Sequence, residues 1–161
     1  VAESPSLARS HSMRGHEYQN IGDYDTAEKE YTSALEINPY IPWVYSNYGQ
    51  IKLNLGQTSE SIELFTIAIK MNPKDGNAHF NRAIAYVIIK QLPLALDDFD
   101  NAINLEPENA DYYYNRGLAL ESICETEKAL VDFEQANVML PEDELLREKI
   151  FQIKSGRPID E

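Results

Sequence analysis

The sequence predicts an all-α chain folded as an α-solenoid: four helix–turn–helix units closed by a C-terminal capping helix. Three observations carry this. First, Phe99 to Pro107 sets an aromatic, an alanine three residues on, and a proline five beyond that. Second, the pattern recurs as Tyr31, Ala34, Pro39; as Phe65, Ala68, Pro73; and as Phe133, Ala136, Pro141, so successive prolines stand 34 residues apart. A fixed period of roughly 20–50 residues marks stacked supersecondary units. Third, small residues fall at the same places in every copy, where two helices must approach closely.

The units are numbered from Ala8, Pro42, Gly76 and Ala110, giving 8–41, 42–75, 76–109 and 110–141. The eighth position is then Gly15, Gly49, Ala83 and Gly117, and the twentieth is Ala27, Ser61, Ala95 and Ala129. The aromatic at twenty-four fills the space between the paired helices. In the first unit, helices are expected over Leu7 to Ile21 and Tyr24 to Ile37, broken at Gly22-Asp23. In the second they run over Ile41 to Leu55 and Ser59 to Met71, broken at Gly56. The third has Gly76 to Lys90 and Pro93 to Leu105, with Pro93 in a first turn, where a missing N–H costs nothing. The fourth has Ala110 to Ile123 and Glu127 to Met139. Each recurring proline ends a second helix by pushing the residue before it out of helical geometry. Leu146, Ile150 and Ile153 share one face of a capping helix over 142–154, with acids at its start and bases later, as a helix dipole prefers. Residues 1–7 read as an N-terminal extension and 155–161 as a tail.

The seventh and twenty-third positions hold Arg14 with Glu30, Tyr48 with Leu64, Arg82 with Asp98, and Arg116 with Asp132. The unit without the arginine also lacks the acid. The expectation is an ion pair inside units one, three and four, and an apolar contact in unit two.

This pattern resembles the tetratricopeptide repeat, a helix–turn–helix unit, over Ala8 to Pro141. Unit one matches best, through Gly15, Tyr18, Gly22, Tyr24, Ala27, Tyr31, Ala34 and Pro39. Departures are Lys52 and Leu120 for the aromatic at eleven, Ala83 for Gly at eight, and Lys90 and Cys124 for the turn glycine. They are expected to loosen single contacts only. The resemblance implies a right-handed superhelix with the first helix of each unit (A) lining the concave side and the second (B) outside.

Composition restricts function. A net charge of −13 argues against nucleic acid, because phosphate binding needs clustered Lys and Arg. The longest apolar run, Ala83 to Ile89, is too short to span a membrane. The N-terminus lacks the basic start and apolar stretch of a signal peptide. It also lacks Met, so the chain reads as a processed form or a fragment; the cytoplasm is the favoured compartment. One cysteine, Cys124, forbids an intrachain disulfide. His11, His16 and His79 have no metal-site spacing, and no phosphate loop or nucleophile motif is present. No enzyme activity, metal or cofactor is implied.

The positions that the resemblance turns inward include the sixth: Met13, Asn47, Asn81 and Asn115. An Asn side chain offers both a donor and an acceptor, so it can match one peptide group. Three in register could grip an extended backbone, although Asn also suits a solvated inner face. Trp43, Phe80 and Tyr114 are candidate side-chain anchors, with Gln50 and Asn77 as further polar contacts. Ile84, Val87, Ile88 and Leu118 line the same side; Ile84 and Val87 could instead pack between A helices. The resemblance also brings a carboxylate-clamp pattern known in some family members. Its five places here hold Ser12, His16, Asn47, Asn77 and Asn81, and only Asn47 fits it. The expected function is a non-catalytic protein–protein interaction scaffold that binds a peptide segment. The alternatives are self-assembly through the first unit, which would give a homo-oligomer, and the targeting part of a larger enzyme.

Overall fold

The computed structural model describes residues 5–156, all of whose regular structure is helical. In order these are α1 (Pro5–Asn20), α2 (Tyr24–Ile37), α3 (Pro42–Asn54), α4 (Thr58–Met71), α5 (Gly76–Ile88), α6 (Leu92–Leu105), α7 (Ala110–Ser122), α8 (Thr126–Met139) and α9 (Glu144–Ser155). Helices pair as α1 with α2, α3 with α4, α5 with α6 and α7 with α8, and each pair meets the next through its second helix. This is the α-solenoid that the repeat predicted.

Local chemistry sets the ends. Asn38, Asn72 and Glu106, each just before a proline, leave helical geometry with φ of −141°, −133° and −136°. Asp23, Asp75 and Asp143 accept a backbone N–H of the following first turn, satisfying a donor that the helix leaves open. The A-to-B turn requires a left-handed residue. Gly22 and Gly56 supply it at φ of 80° and 74°, while Lys90 and Cys124 are forced to 60° and 62°. For a residue with a Cβ, that conformation costs about 1–2 kcal/mol.

Within each pair the aromatic at twenty-four is the core. Tyr31, Phe65, Phe99 and Phe133 are completely buried. A Cβ placed on Gly15 would lie 2.6 Å from the Tyr31 ring, and one on Gly117 2.8 Å from Phe133. The eighth position is therefore small because an aromatic sits on it. Ala83, the departure from glycine, is itself fully buried against the Phe99 cluster.

The expected ion pairs form. Arg14 Nη2 lies 2.9 Å from Glu30, Arg82 Nε 2.7 Å from Asp98, and Arg116 Nη2 2.6 Å from Asp132. Two arginines also reach backward: Arg82 donates to Thr66 at 3.0 Å and Arg116 to Asp100, so one guanidinium stitches two successive B helices. In unit two, where an apolar contact is expected, the Tyr48 hydroxyl donates to Glu28 of the preceding unit at 2.6 Å, and its ring packs against the Tyr31 cluster.

Lys52 also differs from expectation. It is buried, yet its ammonium bridges Glu28 at 2.8 Å and Glu60 at 3.1 Å and lies over the Tyr48 ring. The lysine thus clasps α2 to α4 instead of loosening a contact. Lys52, then Tyr48, hold the Glu28 carboxyl below the usual carboxylate range.

The termini need two corrections. The stretch 1–7 is not an extension throughout, since Pro5, Ser6 and Leu7 begin α1; a proline suits a first turn. Ser155 of the expected tail closes α9, and Gly156 caps it at φ 64°. Residues 1–4 and 157–161 of those two segments lie outside the described residues. Leu146 is buried against the Phe133 cluster, with Ile150 and Ile153 beside it, as the capping helix requires.

Candidate peptide groove

The inner face follows from which helices touch. α1 meets α3, α3 meets α5, and α5 meets α7, whereas among the described residues no B helix reaches another B helix. A two-layer array curves toward the layer whose members are in contact. The A helices therefore line the concave side.

On that side stand Asn47, Asn81 and Asn115, one on each of α3, α5 and α7 and each half-buried, so none of the three is fully enclosed in the interior. Asn47 Nδ2 faces His16 Nδ1 of the preceding unit at 3.4 Å. Asn115 Nδ2 donates to the Asp111 carbonyl at 2.8 Å, which leaves its own carbonyl oxygen unused. Asn81 makes no side-chain hydrogen bond among the described residues. Beneath Asn47, the Tyr31 hydroxyl donates to Gln19 at 2.7 Å. Burial pushes that phenol up to about 12, with the Asn47 amide opposing the shift.

The other candidates divide. Trp43 is 38% exposed, with its ring edge-on to Tyr31 at 6.5 Å. Gln50 donates to Asn54 within its own helix at 3.0 Å. Asn77 is exposed and accepts the Tyr112 hydroxyl at 3.1 Å, a bond between units three and four. Phe80 and Tyr114 are not free anchors. Phe80 stacks on Tyr112 at 4.8 Å and meets Phe99 at 5.9 Å; Tyr114 lies 5.7 Å from Phe133. Both are half-buried because the fifth position faces the unit's own aromatic core. Ile84 and Val87 likewise pack on the unit-three cluster. Ile88 and Leu118 remain exposed.

Under the trough, the Asp98 carboxyl is held ionised by its partners. Asp98 is buried, and burial alone would raise its carboxyl. Bonds from Arg82, then His79, overcome this and hold it below the usual carboxylate range. His79 Nδ1 stands 2.9 Å from Asp98, and its Nε2 faces the Pro73 carbonyl at 3.3 Å. Sequence reasoning missed this histidine's role and the backward reach of Arg82 and Arg116. Their signal was present, since each arginine has a polar residue 16 places before it and an acid 16 places after it. Among the described residues, no cluster suited to a metal ion occurs and no helix is long and apolar enough to cross a membrane.

A search of curated proteins found no matching sequence. Family models do match. Those described as tetratricopeptide repeat align with residues 8–40, 30–63 and 49–103, and one described as TPR repeat aligns with 85–123. Among solved structures, a crystal structure of MamA protein superposes with a TM-score of 0.85 at 22% identity, covering 95% of this chain and 84% of that one. The first TPR of Spaghetti (RPAP3), bound to an HSP90 peptide, gives 0.73 at 21% identity, covering 77% and 98%. The Arabidopsis OM64 TPR domain gives 0.67 at 24%, covering 71% and 95%. These likenesses establish a shared fold, and the four models tile the helix pairs from α1 to α7. The chain belongs to the tetratricopeptide repeat family.

Proposed function

We propose that this chain is a non-catalytic interaction scaffold whose concave face holds an extended segment of another protein. The observation that carries the reading is the row Asn47, Asn81 and Asn115: one half-buried amide on each of α3, α5 and α7, 34 residues apart, on the inner layer. Amides suit this task because each can satisfy a peptide group whatever side chain the segment bears. The RPAP3 domain of similar fold is bound to a peptide, which supports a peptide as occupant here. Its ligand class does not transfer. The places the two-carboxylate clamp would use hold Ser12, His16, Asn77 and Asn81, so no pair of cations waits there for a chaperone tail.

Self-assembly through the first unit is less well supported. The third and tenth positions of α3, α5 and α7 are buried against the preceding B helix as Val44 with Ile51, Ala78 with Ala85, and Tyr112 with Ala119. In α1 the same places carry Ser10 and Glu17, both exposed. A polar flank gives a second copy little apolar surface to cover.

The test uses peptides selected from a random library on the wild-type chain. Replacing Asn81 and Asn115 together by Ala removes two bonds worth about 0.5–1.5 kcal/mol each. Affinity is expected to fall about tenfold while the melting temperature stays put. Undiminished affinity in the double variant would refute the ladder.

A further inference from the structure

Three surface cavities among the described residues are lined with acid: Glu106, Glu108 and Asp111 at the start of α7; Asp100 and Asp132 between α6 and α8; Asp25 and Glu28 on α2. In a chain with 27 acids and 14 bases that is ordinary. A fourth cavity, of about 380 Å³, is not ordinary, because among the described residues no carboxylate lines it. It lies between the first half of α1 and the start of α3. Its walls include Met13, Ile41 and Trp43, and its polar lining includes Arg9, Ser12 and Asn38.

Two of the polar side chains there, Arg9 and Asn38, have donors left over. Ser12 spends its hydroxyl on the Arg9 carbonyl at 2.9 Å. Asn38 uses its oxygen to accept the Tyr40 N–H at 3.0 Å, so its NH₂ is the end left over. Arg14, Arg82, Arg116 and Arg147 each lie within ion-pair distance of a carboxylate. Arg9, among the described residues, has no such partner. A guanidinium without a carboxylate, beside an apolar wall and a half-exposed indole, fits an anion fused to an apolar body. Trp43 and Met13 also occupy inward-turned positions of their units, so the cavity continues the row of Asn47, Asn81 and Asn115.

We propose that this cavity is the groove's specificity subsite, and that it takes an aromatic or aliphatic side chain with an Asp or Glu close beside it on the bound segment. The proposal rests on the groove reading and adds the ligand's chemistry and direction. Arg9 and Asn38 donate to the carboxylate, while Trp43, Ile41 and Met13 cover the apolar side chain. The segment runs with its acid toward α1, because the far end of the groove carries Asp111 and repels it.

The test starts from a phage-displayed random dodecapeptide library selected on the whole chain. One enriched peptide is then synthesised and titrated. Trp43 is the only tryptophan, so its emission reports occupancy of the cavity directly. The expected result is enrichment of sequences with Asp or Glu within two residues of a large apolar residue, and a saturable shift in Trp43 emission. Affinity should fall about tenfold in Arg9→Ala, a change at a side chain without an ion pair among the described residues that should leave the helical signal unchanged. Changing the peptide's acid to its amide should weaken binding to the wild type, yet add little loss in Arg9→Ala. No enrichment, enrichment without acids, or equal affinity for Arg9→Ala would each overturn the subsite. The Asn81→Ala, Asn115→Ala double variant separates the two claims. If it loses affinity while Arg9→Ala does not, the groove stands and the subsite falls. If only Arg9→Ala loses affinity, the amide ladder falls instead.

Discussion

Replacing Phe99 by Ala is expected to lower the free energy of unfolding by about 3–5 kcal/mol, the range for truncating a fully buried Phe. Phe99 is 0% exposed. It sits in the third unit among Ala83, Ala95 and Ala119, with the Phe80 ring 5.9 Å away. Its fully buried neighbours are alanines, too short to fill the space, and the Phe80 ring beside it is itself stacked on Tyr112, so the cavity should persist. Position matters as well. A solenoid is held by contacts between neighbours, and the third unit has one on each side. Its loss should uncouple the outer pairs, giving a broader transition in urea as well as a lower midpoint. Val131→Ala, on the exposed face of α8, is the control and should move the midpoint by under about 0.5 kcal/mol. A Phe99→Ala effect no larger than the control's would show that the aromatic row is not the core.

Replacing Asp98 by Asn should cost about 3 kcal/mol at neutral pH, the lower end for breaking a buried pair by removing one partner. The carboxylate accepts from Arg82 Nε at 2.7 Å and Nη2 at 2.8 Å and faces His79 at 2.9 Å. An amide cannot serve all three, and Arg82 keeps its charge beside it. The cost should depend on pH, with a sign that follows from linkage. The folded carboxyl is held below its ordinary value, so as pH falls the unfolded chain takes up the proton first. The unfolded state then binds more protons than the native one, and stability rises with pH there. The contribution is complete above the ordinary carboxylate pKa of about 3.9 and is lost as pH drops through the lower native value. Urea midpoints of wild type and Asp98→Asn should therefore differ most at pH 6–7 and converge toward about pH 2–3. A difference that stays constant down that range would mean the carboxylate contributes packing alone.

Helix pairing was legible because the 34-residue period, the small eighth position and the recurring proline are local and repeated. The ion pairs were legible for the same reason, as a fixed spacing between an A helix and its own B helix. What lay between units was harder to read. Phe80 looked like a groove anchor because the fifth position turns inward in this family. It became a packing residue because Tyr112, from the next unit, stacks on it. Lys52 read as a lost aromatic. It became a clasp because Glu28 and Glu60, from separate B helices, converge on its ammonium. Such contacts depend on how one pair is set against the next, and no single unit's sequence states that. Arg9 drew no notice because nothing in the sequence says that it alone among the described arginines would find no carboxylate.

The account depends on the inner row of amides meeting another chain's backbone. The most direct test is nuclear magnetic resonance of the side-chain NH₂ groups, titrated with the library-selected peptide. Asn47, Asn81 and Asn115 should shift together along one saturation curve, while Asn101 and Asn104, exposed on the outer helix α6, stay still. Shifts at the α6 amides with the inner three unmoved would place the ligand on the convex side and contradict the account.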